Sequence, residues 1–163
     1  MINACAVLTI SDRGFAGERE DASGKEVTRI LTDSGFAVIH QEIIPDEVAL
    51  IAKTLVMLAD EKHLPLIVTT GGTGVSPRDV TPEATLSIIE KQIPGMAEAM
   101  RLASMQKTPH AMISRAVVGI RGITLIVNLP GSPRAARENL AVIMPALPHA
   151  IAKIQGDSSD CAS

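Results

Sequence analysis

At 163 residues and a formal net charge of −3, the chain is about one domain long and large enough to enclose a substantial apolar core, built here almost wholly from aliphatic side chains. It has no Trp and no Tyr, and Phe15 and Phe36 are its only Phe residues, so the stacking platforms and the basic face that nucleic-acid binding calls for are both missing from the composition. Its two cysteines, Cys5 and Cys161, are too few for a disulfide framework, no basic n-region precedes an apolar stretch at the start, and no apolar run approaches the roughly 18 residues of a membrane span, so the expectation is a soluble cytoplasmic protein with free thiols, no nucleic acid and no membrane.

The run Ala4–Ile10 (ACAVLTI) is continuously apolar and rich in β-formers, which suits a strand buried on both faces of a parallel sheet. Residues 11–23 are polar, contain Gly14 and Gly17, and read as a loop. From about Gly24 the residues Val27, Ile30 and Leu31 recur at helical spacing until Ser34-Gly35 stops the run. Ala37–Ile44 reads as a second strand, and after Pro45-Asp46 the residues Val48, Ile51, Leu55 and Leu58 mark an amphipathic helix.

Leu66–Thr70 (LIVTT) is a third buried strand that runs straight into Gly71-Gly72-Thr73-Gly74. A helix is expected to start near Pro82-Glu83, because proline suits a first turn, and another over 96–106, where Met96, Met100 and Met105 read as packing residues. Short strands are expected at 117–120 and 124–128 around the turn Arg121-Gly122. Leu140, Ile143, Met144, Leu147, Ile151 and Ile154 mark a last helical region, with a kink or break at Pro145. The expected architecture is α/β: a three-layer sandwich with a mostly parallel sheet flanked by helices, one domain over 1–155 followed by a polar tail over 156–163.

Ligands in such folds bind beyond the carboxyl ends of the strands, and three loops of unusual composition follow predicted strands there: 11–23, 71–82 and 129–134. Gly71, Gly72 and Gly74 let the backbone turn sharply and bring N–H groups close to an anion, though an ordinary flexible turn explains the glycines equally well. Ser76, Arg78, Asp79, Thr81 and Glu83 then place a hydroxyl, a guanidinium and carboxylates beside that turn, stiffened by Pro77 and Pro82. Asp79 or Thr81 would alternatively cap the next helix, and Asp46 would cap the helix after the second strand. If Asp46 and Asp79 meet at one sheet edge beside bound phosphates, a divalent cation must lie between them, and Mg²⁺ is the usual choice.

Gly131 and Ser132, in Asn128-Leu129-Pro130-Gly131-Ser132-Pro133, suit a second anion or a plain strand-to-helix turn. No P-loop is present: Gly24-Lys25 is followed by Glu26, and Pro77 stands where a dinucleotide fingerprint wants Gly or Ala. His40, His63, His110 and His149 are scattered without metal-ligand spacing and read as surface or packing residues.

Leu8-Thr9-Ile10-Ser11-Asp12, the long stretch from Thr69 to Ala84 (TTGGTGVSPRDVTPEA) and Leu129-Pro130-Gly131-Ser132 together resemble the molybdopterin adenylyltransferase family, which includes the G domains of gephyrin. The resemblance spans about 5–154, and Arg78-Asp79-Val80-Thr81 differs from the continuations typical of molybdate-insertion domains and competence-damage-type proteins. It implies the molybdenum cofactor biosynthesis fold and MgATP-dependent adenylylation of molybdopterin, with ATP and molybdopterin as substrates and Mg²⁺ as metal. Asp46 and Asp79 would hold the metal and orient phosphates, and Gly71, Gly72, Thr73, Gly74 and Ser76 would line the phosphate path. Ser11 and Asp12 would serve the nucleotide side, and Gly131 and Ser132 the pterin side. It further implies a homotrimer, hand-over of product to a molybdate-insertion protein, and, as the alternative activity, non-catalytic molybdopterin binding or carriage.

Overall fold

The computed structural model describes residues 3–158; the end of the polar tail, with Cys161, lies outside the described residues. Strands β1 (Ala4–Ile10), β2 (Ala37–Ile44), β3 (Leu66–Thr70), β4 (Lys91–Gln92), β5 (Val118–Arg121) and β6 (Thr124–Leu129) form one sheet in the order β2-β1-β3-β6-β5-β4. The first four strands in that order run parallel, while β5 and β4 close the edge in antiparallel register, Ile120 pairing with both Leu125 and Lys91. The mostly parallel sheet expected from the apolar runs is therefore present.

The alternation of side chains along β1 builds two cores. Cys5 and Val7 point to one face, where helices α2 (Ala22–Asp33), α5 (Pro94–Met105), α6 (Pro133–Ile143) and α7 (Leu147–Ile154) contribute Val27, Leu31, Met100, Leu140 and Ile151. Ala4, Ala6, Leu8 and Ile10 point to the other, against Ile51 and Leu55 of α3 (Val48–Val56) and Ala84 of α4 (Thr81–Leu86). A strand covered on both faces cannot alternate apolar with polar, which is why β1, β3 and β6 are buried at every position.

Several boundaries differ from the sequence reading for identifiable reasons. The loop 11–23 holds a one-turn helix, α1 (Asp12–Phe15), and α2 begins at Ala22 because Asp21 caps it by accepting the Gly24 N–H at 2.8 Å. The terminal helical region breaks at Pro145 as its ring geometry requires: α6 ends at Ile143, a 3₁₀ turn spans Met144–Ala146, and α7 follows. Met100 is buried and Met96 packs against the same core, but Met105 is 39% exposed and does not belong to it.

The order β2-β1-β3 fixes where the loops meet. From β1 the chain passes over one face to reach β2, and from β2 over the opposite face to reach β3 on the other side of β1. The crossovers thus diverge between β1 and β3, and a crevice opens at the carboxyl ends of those two strands.

Candidate functional site

The crevice is formed at the carboxyl ends of the four parallel strands. Ser11 follows β1, Asp46 follows β2, Gly71 follows β3 and Gly131 follows β6, and together they line a cleft of about 390 Å³. Gly71 sits tight against the end of β1. It has φ +105, and a Cβ there would strike the Ile10 carbonyl, so only glycine lets the chain leave β3 at this angle. Its N–H donates to the Leu129 carbonyl at 3.0 Å, and the Thr70 hydroxyl donates to the Pro130 carbonyl at 2.7 Å, which joins the β3 and β6 loops.

Helices α2 and α6 both begin at this cleft, which Asp21, Ala22, Ser23, Ser132 and Pro133 line. Ser132 caps α6 by accepting the Ala135 N–H at 3.1 Å, so its hydroxyl proton is left for a ligand. Unsatisfied first-turn N–H groups and the helix dipole make this end of the cleft favourable for phosphate oxygens.

Neither aspartate acts as a helix cap. The residues at the cap positions of α3 and α4 are Glu47 and Val80, and neither makes a side-chain capping bond. Asp46 instead accepts the Asp12 N–H on Oδ2 at 2.9 Å, while its Oδ1 lies about 3.0 Å from where a Gly72 Cβ would stand. Asp79 accepts the Ser76 N–H on Oδ2 at 2.9 Å. Each carboxylate is thus fixed by one backbone donor and turned into the cleft.

Burial pushes the Asp46 carboxyl above its ordinary value, and the negative charges of Asp12 and Asp79 push the same way against the Asp12 N–H and Arg78. Asp12 moves in the opposite direction, held below its usual range chiefly by its hydrogen bonds from Arg78, whose Nε and Nη2 reach it at 2.9 and 3.0 Å, and then by the Asp46 N–H.

A second cleft of about 430 Å³ adjoins the first and is more apolar, lined by Thr73, Gly74, Arg101, Lys107, His110 and Ile113 among others. Gly72, Asp79, Gly131 and Ser132 line both clefts. Asp79 therefore stands where two binding volumes meet.

Of the residues singled out in the sequence, Ser11, Asp46, Gly71, Gly72, Asp79, Gly131 and Ser132 line the first cleft, and Thr73 and Gly74 line the second. Asp12 and Ser76 line neither; Asp12 ties Asp46 to Arg78, and Ser76 orients Asp79 through its N–H. Sequence reasoning missed Arg19, an exposed cation lining the first cleft, and, while His110 is exposed in keeping with its surface-or-packing reading, missed that it lines the second. It also missed Arg115, whose partners lie 32 to 41 residues away in the chain. Asn128 was read as the end of a strand and the head of the third loop, with no role of its own; fully buried, its amide donates to Thr69 and Thr85 at 3.0 Å and accepts the Val117 N–H, bracing α4 against the sheet.

Two adjoining clefts, helix starts suited to phosphate and a carboxylate at their junction thus lie along the carboxyl edge of the parallel part of an α/β sheet. The family model described as "Probable molybdopterin binding domain" matches residues 6–149, and the chain belongs to that family. Within it, the chain is 44% identical over 153 residues to the molybdopterin adenylyltransferase of Helicobacter pylori J99, covering 93% of this chain and 87% of that protein. It is also 43% identical over 158 residues to gephyrin of Dictyostelium discoideum, covering 91% of this chain and 22% of gephyrin. Among solved structures, the molybdopterin biosynthesis enzyme MoaB of Thermus thermophilus matches with a TM-score of 0.89 at 48% identity, covering 94% of this chain and 97% of that one.

Proposed function

We propose that this chain is a molybdopterin adenylyltransferase of molybdenum cofactor biosynthesis, and that it joins the AMP moiety of ATP to the terminal phosphate of molybdopterin with release of pyrophosphate. The observation that carries this reading is the position of Asp79, with Gly72, Gly131 and Ser132, on the shared border of the two clefts. A reaction between two sizeable substrates needs two volumes that meet at the reacting atoms.

The nucleotide phosphates fit the first cleft, where α2 and α6 begin and Arg19 supplies a cation. The pterin fits the more apolar second cleft, with Gly131 and Ser132 reached from both sides. A phosphate oxygen of molybdopterin attacks the ATP α-phosphorus, the bond from that phosphorus to the bridging oxygen breaks, and the electron pair leaves with pyrophosphate. The nucleophile is already an anion, so the protein has no strong base to provide. Its contribution is to align the two phosphates and to offset their charge.

The donor set fits a magnesium ion: two carboxylates fixed by backbone donors, one of them with its ionised form disfavoured by burial and by like charges that a cation would offset. When bound there, held by Asp46 and Asp79, Mg²⁺ would neutralise phosphate charge during the transfer. The cytoplasm as location, a homotrimer as assembly and hand-over of product to a molybdate-insertion protein belong to the same proposal. No helix among the described residues is long and apolar enough to cross a membrane, and Leu102, Met105 and Met112 offer an exposed apolar surface for contact between copies.

Purified protein with molybdopterin, ATP and Mg²⁺ should release pyrophosphate only when molybdopterin is present, and Asp79→Asn should lower the rate at least ~100-fold while the fold is kept. Tight molybdopterin binding without pyrophosphate release would instead make the chain a carrier.

A further inference from the structure

The segment that carries Asp79 leaves the sheet as the glycine turn, makes an exposed excursion through Val75, Ser76, Pro77 and Arg78, and returns to begin α4. Val75 at the tip is 63% exposed, so apolar packing does not hold this excursion in place. Thr81 bonds the Gly71 and Gly72 carbonyls and Arg78 pairs with Asp12, but one side chain from elsewhere bonds both ends of the excursion at once. The Arg115 Nε donates to the Gly74 carbonyl at 2.6 Å, where the excursion departs. Its Nη2 donates to the Asp79 carbonyl at 2.7 Å, where the excursion returns. Nη1 pairs with the Glu83 carboxylate on α4, and the Arg115 backbone N–H donates to the Thr73 carbonyl at 2.8 Å.

We infer that Arg115 is a positioning residue for the transfer reaction, setting the place of the Asp79 carboxylate by clamping both ends of the loop that bears it. The planar guanidinium is what allows this, because it presents several donors in a fixed fork and so fixes the separation of Gly74 and Asp79. The Asp79 carboxylate is then left to the Ser76 N–H and the cleft, since Arg115 binds the carbonyl and not the side chain. Arg115 lines neither cleft, so it acts through Asp79 rather than by touching substrate. A lysine at this position has one compact ammonium and cannot serve both carbonyls and Glu83 in the same plane.

This inference rests on the adenylyltransferase reading, and the test separates the two. Wild type, Arg115→Lys, Arg115→Ala and Glu83→Gln are compared for pyrophosphate release, for thermal midpoint, and for Mn²⁺ binding with a non-hydrolysable ATP analogue followed by electron paramagnetic resonance. The expected result is a kcat about 10- to 100-fold lower for Arg115→Lys and Arg115→Ala. The KM for molybdopterin should change less than about threefold, and Mn²⁺ should bind about tenfold more weakly. Glu83→Gln, which keeps both carbonyl bonds, should lose less than Arg115→Lys on each readout. If Arg115→Ala does not fold, Arg115→Lys decides. Wild-type kcat and Mn²⁺ binding in the Arg115 variants would overturn the inference, as would losses accounted for wholly by the unfolded fraction. If wild type itself releases no pyrophosphate, the activity reading fails, and the Mn²⁺ comparison alone then supports or overturns the role of Arg115.

Discussion

Asp12 and Asp46 hold each other's backbone: the Asp12 N–H donates to Asp46 Oδ2 and the Asp46 N–H donates to Asp12 Oδ1, both at 2.9 Å. The exchange fastens the loop after β1 to the loop after β2. Because Arg78 also binds the Asp12 carboxylate, it reaches the glycine loop as well. Asp12→Ala removes the acceptor for Asp46 and the anchor for Arg78 together. We expect kcat/KM for pyrophosphate release to fall about 10- to 100-fold with far-UV circular dichroism unchanged. Asp12→Asn retains an oxygen for the Asp46 N–H and should lie closer to wild type.

Asp46→Asn should separate stability from activity. The folded-state pKa of Asp46 is raised, so its ionised form is disfavoured by the fold, and the cost is present once the pH exceeds that raised value. At pH 7 the amide, which can still accept the Asp12 N–H, removes the cost. Each kcal/mol relieved should raise Tm by roughly 2–4 °C. The advantage over wild type should shrink as pH falls through the Asp46 pKa, and adenylylation should be lost at every pH. Calorimetry of both proteins from mildly acidic to neutral pH checks the sign.

Burial pushes the Cys5 thiol up to about 12, so the group remains neutral in the fold at pH values where the unfolded chain would ionise it. Stability from this residue is intact below the ordinary thiol pKa and is lost as pH rises from about 9 toward 12. The slope can reach ~1.4 kcal/mol per pH unit. In a Cys161→Ser background, Cys5 should resist dithionitrobenzoate in native protein at mildly alkaline pH and react on denaturation. Replacing Cys5 by Ala as well should flatten the alkaline fall in Tm.

Gly71→Ala should destabilise the domain by ~2 kcal/mol or more, since it adds left-handed backbone strain to a clash with the Ile10 carbonyl. Gly122→Ala is the comparison: its φ is also positive, but nothing stands near the added Cβ. That variant should lose only the ~1–2 kcal/mol of the left-handed conformation. Urea denaturation of the two variants distinguishes them, and equal losses would mean that the close approach of β1 and β3 at Gly71 is not a tight one.

What the sequence made legible was local. The apolar runs of β1 and β3 announce themselves because each strand is read within its own few residues, and the α4 start follows from Pro82. The strand Lys91–Gln92 is two exposed polar residues, and only pairing with β5 makes it a strand. The aspartates were recognisable as residues, but the cap reading of Asp46 falls away only with its bond to Asp12, 34 positions away, and with Glu47 at the cap position. Arg115 lies between a 3₁₀ helix and a strand with no local motif, so its reach to the glycine loop is a property of the fold alone.

The shared border of the two clefts also bears on how a reaction there would end. On the proposed reaction each substrate would occupy one volume and dissociate on its own, whereas the adenylylated product would span both as a single molecule. Once one half is bound, the other is held at high effective concentration beside its own cleft. Product should therefore leave more slowly than either substrate, which would make departure, rather than phosphoryl chemistry, the step that limits turnover.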